Sequence, residues 1–251
     1  SDGTHIWYGD GHRHTVTEVR DDLTTSLQDI RLATFPFQLA AGLGAMWIAD
    51  GYRGTIVRVD LRTGTGTPIR PDPHGFGRVP IAVGGGWLWA ASQDGSVTKT
   101  RADGSLSEII ARAVGRPEAL SYGFGDIWIA DATAEVVLRL DLERPARRHM
   151  IPIGGIGESV AAGDDSIWVA TPSPGAVWRI DPRTNSVVAS IAVGGRPNVI
   201  AVGRGVVWVG CAAGSLVRID PTTNRVAATI KVQGPVGGIA LDANELVVTI
   251  S

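Results

Sequence analysis

Residues 197–233 carry the pattern that decides the fold. Val199-Ile200-Ala201-Val202 is wholly apolar, the composition of a strand covered on both faces. Gly203-Arg204-Gly205 turns the chain into a second apolar run, residues 206–210, which carries Trp208. Ala212-Ala213-Gly214 leads to a third, Leu216-Val217-Arg218-Ile219-Asp220. Pro221-Thr222-Thr223-Asn224 then turns into residues 225–232, whose alternation marks a partly exposed outer strand. Proline presets φ in such a turn, and Asp and Asn side chains bond nearby backbone groups. The stretch predicts four short antiparallel strands.

The same unit recurs along the chain. Aligned on tryptophan, it reads Ile6-Trp7-Tyr8-Gly9, Met46-Trp47-Ile48-Ala49, Leu88-Trp89-Ala90-Ala91 and Ile127-Trp128-Ile129-Ala130. Ile167-Trp168-Val169-Ala170 and Val207-Trp208-Val209-Gly210 continue it. Successive tryptophans lie 40, 42, 39, 40 and 40 residues apart, and Val247-Val248-Thr249-Ile250 follows after 40 more. Four antiparallel strands at this period are the signature of one blade of a β-propeller. A blade is apolar on both faces and is stable only when stacked on its neighbours. The recurrent tryptophan is then a wedge between blades rather than a sugar-stacking platform. Trp87 and Trp178 lie off the repeat position, and Trp178 is expected to pack.

The expected fold is all-β: a six-bladed propeller of four-stranded antiparallel blades, residues 1–251 forming one domain of a larger protein. Second-type strands number seven, whereas first, third and fourth types number six, so seven blades is the alternative. With six, Gly238-Ile239-Ala240-Leu241 closes against the Ile6 strand and the Val247 strand is redundant. Ser1-Asp2-Gly3 resembles Gly123-Phe124-Gly125-Asp126, the turn into a second strand.

Composition narrows the classes of function. Hydrophobic residues are 44% of 251 and charged residues 19%, enough to bury a core. A formal charge of −2 argues against nucleic acid as partner, and no apolar run suits membrane insertion. The single cysteine, Cys211, excludes an internal disulfide or a thiolate metal cage, and it reads as a small buried residue. Of 23 basic residues only Lys99 and Lys231 are lysine, a bias that a GC-rich genome explains.

The Trp-Ile-Ala-Asp of residues 47–50 and 128–131 and the paired stretches 177–198 and 216–232 resemble the bacterial NHL/YVTN-type propellers, including the virginiamycin B lyase-like group. The Gly-His and Trp-Asp pairs of WD repeats are missing from each period. The resemblance covers essentially the whole chain and implies the fold. It further implies an extracytoplasmic binding or sensor domain, at a bacterial cell surface or in its periplasm-equivalent, as in a membrane receptor kinase. The lyase relatives imply metal-assisted elimination by histidines and glutamates of the late blades. Here the histidines are His5, His12, His14, His74 and His149, and the late glutamates are Glu158 and Glu245 only. The expectation is therefore a non-enzyme without cofactor or metal; a lyase and a structural interaction scaffold are the alternatives.

Other chemical motifs give little. His12 and His14 point to one side of an extended segment, but only Asp10 lies near to complete a metal site, so they read as turn residues. Gly84-Gly85-Gly86 opens a strand, not a helix, and reads as a tight turn rather than a phosphate cradle.

What remains is the face formed by the loops from fourth to first strands and the turns from second to third. Gly77-Arg78-Val79-Pro80, Gly115-Arg116-Pro117-Glu118 and Gly195-Arg196-Pro197-Asn198 recur there, and ring symmetry spreads their arginines around the mouth of a central funnel. Arg13, Tyr52 and Arg53 join from second-to-third turns; Phe35, Phe37, His74 and Phe76 add apolar and aromatic surface, and Glu118 and Glu158 limit the positive charge. Such a rim suits a protein, an acidic aromatic-bearing peptide or an anionic small molecule. The long connection 70–80 is the loop most suited to binding.

Overall fold

Each segment carrying a repeat tryptophan forms the second strand of an antiparallel sheet, or, at Trp7, the leading strand of one. This computed structural model describes residues 5–10, 13–20, 26–31, 36–51, 54–61, 63–70, 77–112, 115–241 and 246–250. The elements among them are all strands, in two compact units, Ser1–Pro117 and Glu118–Ser251.

In the first unit β1 (His5–Asp10), β2 (Thr15–Arg20) and β3 (Ser26–Arg31) make a three-stranded sheet. Strands β4 (Pro36–Gly42), β5 (Ala45–Asp50), β6 (Ile56–Asp60) and β7 (Gly66–Ile69) make a four-stranded one. So do β8 (Ile81–Gly84), β9 (Trp87–Ala91), β10 (Ser96–Thr100) and β11 (Ser107–Arg112). The second unit begins within β12 (Pro117–Gly123), which is followed by β13 (Asp126–Asp131), β14 (Val136–Leu140) and β15 (Arg148–Pro152). Next come β16 (Ser159–Gly163), β17 (Ser166–Thr171), β18 (Ala176–Asp181) and β19 (Ser186–Ala192). The last four-stranded sheet is β20 (Pro197–Gly203), β21 (Val206–Cys211), β22 (Ser215–Asp220) and β23 (Arg225–Lys231). Finally β24 (Val236–Leu241) and β25 (Leu246–Ile250) pair with each other.

Every sheet is an antiparallel meander of consecutive strands. Six sheets of three or four strands fit the six-blade expectation, with a small two-stranded seventh. The Val247 strand is not redundant: as β25 it pairs with β24 from Val236↔Ile250 to Leu241↔Leu246.

Turn chemistry sets this regularity. The link from first to second strand places two consecutive residues at positive φ, the requirement of a type I′ hairpin turn. The pairs are Leu43-Gly44, Gly85-Gly86, Phe124-Gly125, Asp164-Asp165 and Arg204-Gly205. Glycine takes the second place in all but one of these, and Asp165 holds it at φ 61°. Asp220 closes the turn from third to fourth strand, its Oδ1 accepting the Thr222 amide at 2.8 Å and hydroxyl at 2.7 Å. These bonds hold its carboxyl below the ordinary value, the Thr222 hydroxyl contributing most. Bonds from the Arg183 amide do the same for Asp181, and from the Ser105 hydroxyl for Asp103.

The core lies between sheets. Trp128 and Ile151 pack with Ile167, Val169 and Ile180 of the next sheet; Trp168 and Ile191 pack with Val207, Val217 and Ile219. First strands approach closely: a Cβ at Gly123 would run into that of Ala162. Trp47, Trp128 and Trp168 are fully buried, and the first two donate Nε1–H to Gly42 O at 3.1 Å and Gly123 O at 3.0 Å. Off the repeat, Trp178 packs against the Trp128 cluster and donates to Thr171 Oγ1 at 3.0 Å.

In three sheets an arginine opposite the repeat tryptophan, Arg58, Arg139 or Arg179, fastens the sheet to the next. Arg139 and Arg179 pair across strands with Trp128 and Trp168, each guanidinium carbon 5.1 Å from its indole centroid. Arg139 Nη1 donates to Pro182 O and, at 2.8 Å, to Asn185 Oδ1. Arg179 Nη1 donates to Pro221 O and, at 2.9 Å, to Asn224 Oδ1. The Asp-Pro-x-Thr-Asn turn therefore shapes its own hairpin and also receives the guanidinium of the preceding sheet. In the first unit Arg58 lies 5.8 Å from Trp47 and donates Nε–H to Ala102 O at 2.6 Å.

Candidate functional site

The loops expected to share one face are stitched together locally in each unit. In the first, Gly54 N in the turn after β5 donates to Gly77 O at 3.2 Å. Gln93, in the turn after β9, donates Nε2–H to both Arg78 O and Pro117 O at 3.1 Å. One amide side chain thus ties the loop carrying Arg78 to the loop carrying Arg116. In the same turn Asp94 Oδ1 accepts the Ser96 amide at 2.9 Å and hydroxyl at 2.7 Å, and Arg112 Nη1 lies 3.0 Å from Asp94 Oδ2. Desolvation pushes the Asp94 carboxyl up, but these bonds and the Arg112 charge outweigh it, so it sits below the ordinary value.

Arg78 is exposed, with its guanidinium carbon 5.1 Å from the Phe37 ring centroid. Phe37 is half-buried against the core of β4–β9, so the arginine has a fixed apolar platform. Arg116 is exposed as well. Arg13 lies in the β1–β2 turn, 83% exposed and 3.6 Å from Asp10 Oδ2, a contact of little energetic weight. His14 beside it is exposed, at φ 55°. Tyr52, Arg53, His74 and Phe76, all expected on this rim, lie outside the described residues, as do Phe35 and His12.

In the second unit Gly175 O accepts the amides of Val193 at 2.9 Å and Gly194 at 3.0 Å, joining a second-to-third turn to the loop into the next sheet. Gly195 O and Arg196 O accept the amides of Ala213 and Ala212, each at 3.0 Å. Arg196 follows Gly194 and Gly195 as a third consecutive residue at positive φ, 57°, with an exposed side chain. A residue with a Cβ is strained there by roughly 1–2 kcal/mol relative to its preferred backbone. Glu158 is exposed, its amide bound to Ala170 O at 2.9 Å; Glu118 is half-buried. Asn198, expected on the rim, donates Nδ2–H to Val236 O at 2.9 Å and so ties first strands together.

The sequence reading missed Gln93, Asp94 and Arg112. The signal was present as a Gln-Asp-Gly turn at a second-to-third position, but nothing local shows that Gln93 reaches two other loops. Cys211 is buried, and that burial raises its thiol above the ordinary value, keeping it protonated. Among the described residues no three His, Cys, Asp or Glu side chains converge as metal ligands, and no helix is long and apolar enough to cross a membrane.

The solved structure of U3-55K superposes with a TM-score of 0.84 at 11% identity, covering 99% of this chain and 85% of that one. The fold is a β-propeller. The WD40 repeats of RRP9 give a TM-score of 0.85 at 11% identity, covering 99% of this propeller and 84% of theirs. The computationally designed Ika8 protein gives 0.72 at 16% identity, covering 98% and 77%. At these identities the likeness concerns the fold. No protein-family model matches the propeller, and no curated protein matches it.

Proposed function

We propose that this β-propeller is a non-catalytic binding module that recognises an acidic, aromatic-bearing segment of a protein partner through its second-to-third turns and fourth-to-first loops. The observation that carries the reading is made at Arg78 in the first unit and, independently, at Arg196 in the second. Each is an exposed guanidinium on a loop whose main chain is fixed, by Gln93 in one case and by Ala212 and Ala213 in the other. Pre-fixed donors lose little entropy on binding a carboxylate, and arginine pairs with it in two-pronged fashion. Arg13, Tyr52, Arg53, His74, Phe76, Arg116, Glu118 and Glu158 complete the proposed rim, whereas Asn198 is taken up by its bond to Val236 O. The NHL/YVTN-like repeat favours an extracytoplasmic sensor domain of a bacterial receptor.

The test uses a glutamate–tyrosine copolymer as probe. The propeller is expected to bind it, and Arg78→Glu/Arg116→Glu/Arg196→Glu to lose binding with little change in melting temperature. Arg196→Gly alone is expected to weaken binding while raising the melting temperature. Equal affinity in the triple variant overturns the proposal.

A further inference from the structure

Among the described residues, the sheets of three and four strands each end on an outer strand paired on one side only. Most of these strands are irregular. The ladders of β3, β11, β19 and β23 each carry a register shift, opposite Glu18/Val19, Val97/Thr98, Arg179/Ile180 and Arg218/Ile219. Strand β7 is only four residues long and has Pro68 within it. Bulges, short strands and prolines are the devices by which an edge resists pairing with another chain. Strand β15 has none of them before its last residue. It pairs with β14 in unbroken register from Val136↔Pro152 to Leu140↔Arg148.

The ladder fixes which groups of β15 are open. Arg147 O accepts the Asp141 amide at 3.5 Å, and the Ile153 amide donates to Glu135 O at 3.2 Å, so residues 147, 149, 151 and 153 face β14. The N–H and C=O of Arg148 and Met150 and the C=O of Pro152 therefore point away from the sheet. Side chains divide in the same alternation. Ile151 is buried in the Trp128 cluster, whereas Arg148, Met150 and Pro152 form an exposed row. Met150, at 62%, is the most exposed large hydrophobic side chain among the described residues. The turn into the strand adds charge: Arg144, Arg147 and Arg148 are all exposed. Arg144 lies 3.8 Å from Asp141, whose Oδ1 already accepts the amides of Glu143 and Arg144. Among the described residues no carboxylate pairs with Arg147 or Arg148.

We infer that the edge of β15 is a docking site for an extended, acidic segment of a partner protein, added antiparallel as a fifth strand. The outward N–H and C=O groups require a strand. Met150 requires an apolar residue opposite it, and Arg148, the next outward residue, requires an acidic one. Arg147 and Arg144 extend the demand for acid past the end of the strand. In an antiparallel pair the start of β15 meets the later part of the partner, so the segment reads apolar first and acidic after. A second copy of this chain suits the site poorly. Pairing β15 with itself about Met150 sets Arg148 opposite Pro152, which has no N–H for the Arg148 carbonyl, and leaves both sets of arginines without a carboxylate.

The experiment titrates the whole chain against fluorescein-labelled Ser-Thr-Val-Thr-Val-Thr-Glu-Asp-Glu-Glu, read by fluorescence anisotropy. Saturable binding that weakens with added salt is expected, with slowed hydrogen exchange at the Arg148 and Met150 amides. Arg147→Glu/Arg148→Glu is expected to weaken it at least tenfold, as loss of charge-assisted hydrogen bonds does. The same peptide N-methylated at its second valine keeps every charge but loses the N–H that Met150 O would accept, and is expected not to bind. Val188→Thr, an exposed change on β19, leaves binding unaltered. All three substituted positions are exposed, so circular dichroism should show the fold retained. Absence of saturable binding overturns the proposal, as does binding that survives N-methylation or the double charge reversal. Binding abolished by Arg78→Glu/Arg116→Glu/Arg196→Glu also overturns it, since the peptide then sits on the arginine loops. Self-association that slows the same two amides without peptide overturns it too, naming a second copy as occupant. The β15 edge shares no residue with the arginine rim, so failure here leaves the glutamate–tyrosine test untouched.

Discussion

Arg139→Ala and Arg179→Ala make a matched pair that tests the arginine fastening quantitatively. Both side chains stack at 5.1 Å on a buried indole, and both donate to a proline carbonyl and an asparagine oxygen of the next sheet. They differ at Nε. Arg139 Nε lies 2.6 Å from Oδ2 of Asp126, whose side chain is 9% exposed, whereas Arg179 Nε donates to Ser166 Oγ at 2.8 Å. Truncating Arg179 loses three hydrogen bonds from a charged donor and one cation–π contact, and leaves neutral groups behind. That totals about 2–3 kcal/mol after partial re-solvation. Truncating Arg139 also strands a nearly buried carboxylate, and breaking such a pair raises the cost to about 3–5 kcal/mol. The Leu142 amide, 3.0 Å from Asp126 Oδ1, offsets part of this but cannot replace the guanidinium. Urea unfolding should show both midpoints lowered at constant slope, Arg139→Ala by the larger amount. Equal shifts, or losses under about 1 kcal/mol for both, would refute the view that these arginines join the sheets.

Two further outcomes are expected. Asp165→Gly should stabilise the protein by about 0.5–1 kcal/mol in the same assay, because Asp165 holds at φ 61° a turn position that Gly44, Gly86, Gly125 and Gly205 fill elsewhere. A destabilised variant would mean that the Asp165 carboxylate makes a contact worth more than the strain. Asp103, Asp181 and Asp220 titrate below their ordinary 3.8 when folded, so their contribution is present above that value and lost as pH falls through the lowered values. Melting temperature should accordingly drop below pH 3.8, and Asp220→Asn should flatten the drop; an unchanged acid limb would count against these turns as its source.

The Gly-x-Gly and Asp-Pro-x-Thr-Asn turns made most strands legible because each depends on residues two to five apart, and the period of the tryptophans showed where they recur. The Val247 strand was misjudged for a related reason: strand type can be read locally, but pairing is settled by what lies alongside. The arginine fastening was written in the sequence as a second periodicity, Arg58, Arg139 and Arg179 each 11 residues after a repeat tryptophan. Its meaning stayed hidden because the acceptors lie 42 to 46 residues away. Gln93 was illegible for the same cause, reaching 15 residues back to Arg78 and 24 forward to Pro117. At the rim, sequence gave residue type and loop, whereas the fixing of the loops by backbone bonds and the positive φ of Arg196 needed coordinates.

The two ends of each sheet divide the work. The end with first-to-second and third-to-fourth turns holds the type I′ pairs, the aspartate-closed turns and the acceptors of the arginine bonds. Constraint there is shared between neighbouring sheets, so changing one turn costs its own hairpin and the fastening of the sheet before it. The opposite end is held mainly by backbone bonds between loops and by the Gln93 amide. Backbone bonds do not specify side chains, so this end tolerates exposed arginines and an aromatic platform at Phe37 without disturbing the core. Binding surfaces arise where a rigid frame leaves side chains unconstrained. By that criterion the arginine loops are where recognition can vary and the Asp-Pro turns are where it cannot.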